Sequence, residues 1–145
     1  PNFVYWSLKG ESLPITGNGE ETRDFTSVLD LVQGLIKAGY YRAAVGNNFN
    51  LAAGSEKKIR ELADLVNSIT GNRAPHVYRE RRKWDTKTRM WASIEKAQTV
   101  VDYKPVIEFE QGIKDNIKWF ELFSEEIERS SDFPPGMSAA VKNSE

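Results

Sequence analysis

Leu13-Pro14-Ile15-Thr16-Gly17-Asn18-Gly19, with Thr22-Arg23-Asp24-Phe25-Thr26 after it and then the apolar series Val28, Leu31, Val32, Leu35, Ile36, is the stretch on which the fold turns. Leu13 to Thr16 is a short extended run, and Gly17-Asn18-Gly19 is turn chemistry that breaks it. Arg23-Asp24-Phe25 reads as a second extended piece. The series that follows falls at i, i+3, i+4, i+7 and i+8, the stripe of an amphipathic helix, which Gly39 can stop. Two short extended segments and a helix within one short window exclude an all-helical bundle.

Working outward, Phe3, Val4, Trp6 and Leu8 predict a first helix closed near Gly10. The chain begins at Pro1 within that helical stretch, so its start reads as cut. Downstream, Asn48-Phe49-Asn50-Leu51 is expected to be a short strand. Ser55 is placed to cap a helix whose inner face is Ile59, Leu62, Ala63, Val66 and Ile69, ended by Gly71. His76 to Arg79 reads as a strand, 81–88 as a charged loop, and Met90-Trp91-Ala92 as an extended piece before a helix capped by Ser93. Phe109, Ile113, Ile117, Phe120 and Ile127 line one last helix, with Glu125, Glu126 and Glu128 on its solvated side. Residues 1–129 therefore form one α/β or α+β domain of short strands and about four to five helices, and residues 130–145 a small polar tail.

The 145 residues are 39% hydrophobic and 28% charged, the balance of a globular domain with a core. Net charge is -1, so no global field draws the chain to nucleic acid or an anionic membrane. Cysteine is absent, which excludes thiolate metal sites and a cysteine nucleophile and fits a reducing compartment. With no apolar run near membrane length, the expectation is a cytoplasmic protein.

Several blocks then gain meaning from their order: Leu8-Lys9-Gly10-Glu11, Leu13 to Gly19, Thr22-Arg23-Asp24-Phe25-Thr26 and Asp30-Leu31-Val32. Phe49-Asn50-Leu51 with Gly54 follows, then Ile59-Arg60-Glu61-Leu62-Ala63, Arg82 with Asp85, Ala92-Ser93 with Lys96-Ala97, and Phe109-Glu110 with Gly112-Ile113. From about Pro1 to Phe123 this resembles the second, substrate-binding part of an extended short-chain dehydrogenase/reductase, close to a UDP-glucose 4-epimerase. The resemblance implies a fold whose larger, NAD-binding Rossmann half lies outside this chain. That half would carry the glycine-rich loop and the Tyr-x-x-x-Lys pair. NAD is thus implied for the full-length family and for no site on this chain. Gly17-x-Gly19 lacks the third glycine and is followed by an extended segment. Tyr5 and Lys9 have the i, i+4 spacing but occupy what the resemblance makes an ordinary surface helix.

The same resemblance points Arg23 and Arg82 at the diphosphate of a nucleotide sugar, for which a planar guanidinium is the matching donor. It gives Asp85 the ribose hydroxyls and sets Pro14, Ile15 and Thr16 against the base through backbone groups. Arg23 could instead pair with Asp24 on the surface, a bond of little worth. The basic run Arg79, Arg81, Arg82, Lys83, Lys87 and Arg89, with Trp84 and Trp91, could stack on single-stranded nucleic acid, but the acidic balance of the chain argues against it. His76 has no partner at metal spacing. The sequence departs from the family at Ser27, where a tyrosine is usual, at Leu29, where the first of two aspartates stands, and at Trp84, where the residue is small; Asp30 is retained.

The expected partner is a UDP- or dTDP-sugar, and the expected reaction of the whole protein is NAD-dependent epimerisation, with this chain silent alone. The alternatives are a dehydratase fragment or a non-enzymatic assembly module. With the larger half absent, the strand at Phe49 to Leu51 and the face Ile59, Leu62, Val66, Ile69 are expected to be exposed, which would drive a homo-oligomer.

Overall fold

The structure, a computed structural model, describes residues 1–81, 83 and 85–130. Helix α1 (Asn2–Leu8) leads into β1 (Leu13–Thr16) and β2 (Thr22–Arg23), followed by α2 (Val28–Tyr40) and a 3-10 turn at Arg42–Ala44. Then come β3 (Lys57–Lys58), α3 (Ile59–Thr70), β4 (His76–Arg79), β5 (Arg89–Met90), α4 (Glu95–Val101), α5 (Phe109–Leu122) and α6 (Ser124–Ser130). Strand β1 pairs in parallel with β4, Leu13 opposite His76 and Thr16 opposite Arg79. A second sheet has the order β3-β2-β5, with β2 antiparallel to β3 and parallel to β5. The architecture is mixed α/β, with six α-helices rather than four to five.

The core forms because α3 is apolar on two sides. Val66, with Leu62 and Ile69, meets Val4, Ile117 and Phe120 from α1 and α5. Ala63, with Ile59, meets Trp6, Leu13 and Ile15 from α1 and β1. Val66, Ala63, Leu13 and Ile15 are wholly buried. At roughly 1.5–3 kcal/mol for each large apolar side chain removed from water, this helix is the chief source of stability. Gly71 ends it in a left-handed conformation, φ 74°. A separate cluster joins Ala44, Ala97, Val101 and Tyr103 to Phe49 and Leu51. Burial pushes the Tyr103 hydroxyl up, with Asp30 and Asp24 adding to it, and that hydroxyl donates to the Ala52 carbonyl at 3.0 Å.

The structure corrects several expectations. Phe49 to Leu51 is not a strand: Phe49 and Leu51 pack sideways onto the Tyr103 cluster and Asn50 Nδ2 donates to the Ser93 carbonyl. Ser55 does not cap α3, because β3 comes first and Lys58 takes the cap position, its backbone N–H held by Glu61 Oε2. Ser93 stands one residue before the cap position of α4, which is Ile94. Gly39 does not stop α2, which runs on to Tyr40. The last helix is two, α5 and α6, with Phe123 between them.

The largest correction concerns which helix face is left uncovered. The α3 face that was expected to be bare is core. On α2, by contrast, Val28 is 66% exposed, Leu35 58% and Ile36 66%, with Leu29, Leu31 and Val32 also exposed. The buried positions of α2 are Asp30 and Gly34. The Asp30 carboxylate accepts from the backbone N–H groups of Val106 at 2.9 Å and Ile107 at 3.0 Å. A Cβ on Gly34 would stand 2.8 Å from Leu51 and 2.9 Å from Tyr103, so only glycine lets the helix approach this closely. Helix α2 is therefore held by one carboxylate and one glycine, with its apolar stripe turned outward.

Candidate functional site

Strand β2 is only two residues long, yet it lies between β3 and β5 and so gathers three segments distant in sequence. Its backbone continues the pairing on both sides: Thr22 N–H donates to the Thr88 carbonyl and Ile59 N–H to the Glu21 carbonyl, each at 2.9 Å. Extended alternation places Glu21 and Arg23 on one face and Thr22 on the other. The two faces do different things.

On the first face, Arg23 Nη2 lies 3.5 Å from Asp85 Oδ1 and donates to the Lys87 carbonyl, while Nη1 donates to the Thr22 carbonyl at 2.7 Å. Both side chains are largely covered. Two residues earlier, the buried Glu21 carboxylate accepts from Gly19 N–H at 3.1 Å and lies 3.6 Å from Arg81 Nε. The loop from Arg81 to Thr88 is thus tied to the 21–23 segment by two crossed ion pairs, acid on strand with base on loop and then the reverse. Arg81 Nε and Nη2 are buried without a hydrogen-bond partner among the described residues, since 3.6 Å is too long for one. Each such donor costs about 1–3 kcal/mol.

On the second face, Thr22 Oγ1 donates to Glu56 Oε1 at 2.6 Å, and Arg89 grips both Glu56 oxygens through Nε at 2.8 Å and Nη2 at 2.6 Å. The Arg89 guanidinium, and after it the Thr22 hydroxyl, hold the Glu56 carboxyl below its ordinary value. This face is structural, a polar staple across the sheet.

Asp24 does not pair with Arg23. Its two oxygens accept from Ala53 N–H at 2.9 Å and Gly54 N–H at 3.1 Å, so it fixes the loop before β3 and leaves Arg23 to Asp85. Ser27 caps α2 by accepting from Leu29 N–H at 3.3 Å, and Leu29 is exposed. Both departures from the family pattern thus fall at the helix entry.

Of the residues singled out from sequence, Arg23 and Asp85 are brought together. Pro14, Ile15 and Thr16 lie on the neighbouring sheet as β1, joined to them through the Gly17–Glu21 turn. Ile15 is wholly buried, so its side chain is core and β1 can address a ligand only through backbone or through Pro14 and Thr16. Arg82 and Trp84 lie outside the described residues. Glu21 was missed; its signal was the same alternation that makes Arg23 its neighbour on the face. His76 packs beside Asn67, Nε2 to Nδ2 3.4 Å, a structural role. Lys9 pairs with Glu128 and lies 5.1 Å from the Tyr5 ring centre, and the Glu128 contact pushes its pKa up. Grooves of about 800, 460 and 880 Å³ lie elsewhere, along α5, beside Pro14, and between α1 and α5.

The Gly17–Gly19 turn does not fit the pyrophosphate of NAD. It feeds a strand rather than a helix, and a Cβ on Gly17 would stand 2.2 Å from the Glu21 carboxylate, which would repel a phosphate. No group of metal-ligating side chains occurs among the described residues, and no helix among them is long and apolar enough to cross a membrane.

Residues 1–116 match the family described as GDP-mannose 4,6-dehydratase. The chain belongs to that family. Among solved structures, the epimerase Mth375 of Methanothermobacter thermautotrophicus is 45% identical, covering 92% of this chain and 40% of its own, with a TM-score of 0.89. The enzyme WbmF of Bordetella bronchiseptica, solved with NAD+ and UDP, is 33% identical, covering 89% of this chain and 37% of its own, with a TM-score of 0.76. A curated relative, UDP-glucuronic acid decarboxylase 1 of Danio rerio, is 30% identical over 97% of this chain and 33% of its own length. The chain therefore spans a third to two fifths of these relatives. Its fold is that of the C-terminal part of extended short-chain dehydrogenase/reductase epimerases.

Proposed function

We propose that this chain is the nucleotide-sugar grip of an NAD-dependent sugar-nucleotide epimerase, with a UDP- or dTDP-sugar as its ligand. The observation that carries the reading is the Arg23–Asp85 pair, 3.5 Å apart and drawn together from opposite halves of the chain by the β2–β5 pairing. Arg23 and Arg82 would hold the diphosphate, whose oxygens suit guanidinium donors. Asp85 would exchange Arg23 for the ribose hydroxyls, and β1 at Pro14, Ile15 and Thr16 would lie along the base. Lys87 O and Thr22 O hold Arg23 in place before the ligand arrives.

NAD would supply hydride transfer from a complementary half, and no residue of this chain fits it. Alone, the chain would bind and not turn over. The outward stripe of α2 is assigned to that complementary half, because the relatives this chain matches are two and a half to three times its length. In its absence the same stripe would drive self-association. A dehydratase remains the second reading, favoured by the description of the matching family.

Calorimetric titration tests the reading. UDP-glucose and UDP are expected to bind weakly and uridine not at all, and Arg82→Ala should cost roughly 1.5–3 kcal/mol of binding. Equal binding of uridine and UDP would remove the assigned roles of Arg23 and Arg82.

A further inference from the structure

Arg81 is the one cation on the site face whose hydrogen-bonding capacity is spent on nothing among the described residues. Its Nε and Nη2 are shielded from water and unpartnered, and its nearest anion, Glu21 Oε1, is 3.6 Å away. The guanidinium is thus held in position by charge while its planar fork stays unused. Arg23, by comparison, donates to two carbonyls and faces Asp85.

Position follows from the strand. Glu21 and Arg23 are two residues apart in extended backbone, hence on one face and roughly 7 Å apart. Arg81 sits over the first and Asp85 over the second. Glu21 is itself fixed: it is buried, it accepts from Gly19 N–H, and it abuts Gly17 so closely that no side chain could replace that hydrogen. The anchor beneath Arg81 is therefore rigid, and the loop that carries Arg81 also carries Asp85.

We propose that Arg81 is a ligand-binding residue, donating Nε–H and Nη2–H to oxygens of the same diphosphate that Arg23 faces, with Glu21 as the positioning residue that holds its guanidinium beside β2. This rests on the nucleotide-sugar reading and adds to it a contact and its support. The chemistry also explains why a buried carboxylate stands so near an anion site: it orients a cation whose free edge points the other way.

The test is a titration of the full chain with UDP and with inorganic pyrophosphate, followed by calorimetry and by the arginine Nε–H signals in nitrogen-15 NMR, that of Arg81 being assigned by its loss in Arg81→Lys. The Arg81 Nε–H signal is expected to shift with both ligands. Arg81→Gln should weaken UDP roughly tenfold or more, the scale of a lost charge-assisted hydrogen bond. Arg81→Lys, which keeps the charge and any latch to Glu21 but not the fork, should recover only part of that loss. If saturating UDP left the Arg81 signal unmoved while Arg23→Gln abolished binding, Arg81 would be a latch only, and the nucleotide-sugar reading would stand without it. If neither UDP nor pyrophosphate bound at millimolar concentration, both would fall.

Discussion

Helices α2 and α3 carry equally legible apolar stripes in the sequence and end in opposite environments. Val66 and Ala63 of α3 are wholly buried between α1, α5 and β1, whereas Val28, Leu35 and Ile36 of α2 face outward. Periodicity reports that a helix has an apolar side; it does not report whether the surface that covers that side lies in the same chain. The discriminating signal is on the other side of α2. An acid and a glycine at Asp30 and Gly34, one turn apart, mark the face that touches this chain, because one receives backbone donors and the other permits close approach.

The comparison breaks most sharply at Val66. Val66→Asp puts an unpaired charge into the α1–α3–α5 core, and the chain should unfold, a loss of more than about 4 kcal/mol, checked by urea denaturation. A soluble, folded variant would mean that α3 is not the centre of the fold. Gly34→Val should cost about 1–3 kcal/mol by forcing Leu51 and Tyr103 apart, with thermal unfolding as the measurement.

A smaller effect is expected from pH. Glu56 has its pKa lowered by Arg89 and then Thr22, so its contribution is present above the ordinary glutamate value of about 4.3 and is lost as pH falls through the lower folded value. Glu56→Gln should flatten that acid limb of the stability curve. An unchanged limb would assign acid sensitivity to other carboxylates. At the small end, Leu35→Ser with Ile36→Ser should shift monomer stability by no more than about 0.5 kcal/mol, since neither side chain packs on this chain. The same change should abolish self-association in sedimentation equilibrium, and a loss of stability instead would show that the stripe is used internally.

Much of the site was legible for the reason that α2 was not. Arg23 and Asp85 were singled out by resemblance, and β2–β5 pairing brings them together as expected. Glu21, Arg81 and Glu56 escaped because their roles depend on which loop folds over which strand face, and no spacing in the sequence records that. The Phe49–Leu51 segment misled because alternation with aromatic residues suits a strand and equally suits a loop that packs sideways on Tyr103. Asp24 was weighed as a surface partner of Arg23 when its real partners are the backbone donors of Ala53 and Gly54.

The most direct measurement of the central claim is amide hydrogen exchange of the whole chain with and without UDP-glucose. Slower exchange is expected at Thr22, Arg23 and residues 85–90, where the ligand would clamp the loop onto β2, with α2 from Leu31 to Ile36 unchanged. Protection appearing on α2 while the β2 and 85–90 amides stay as they were would contradict the account, since the ligand would then be covering the outward stripe and not the Arg23–Asp85 grip.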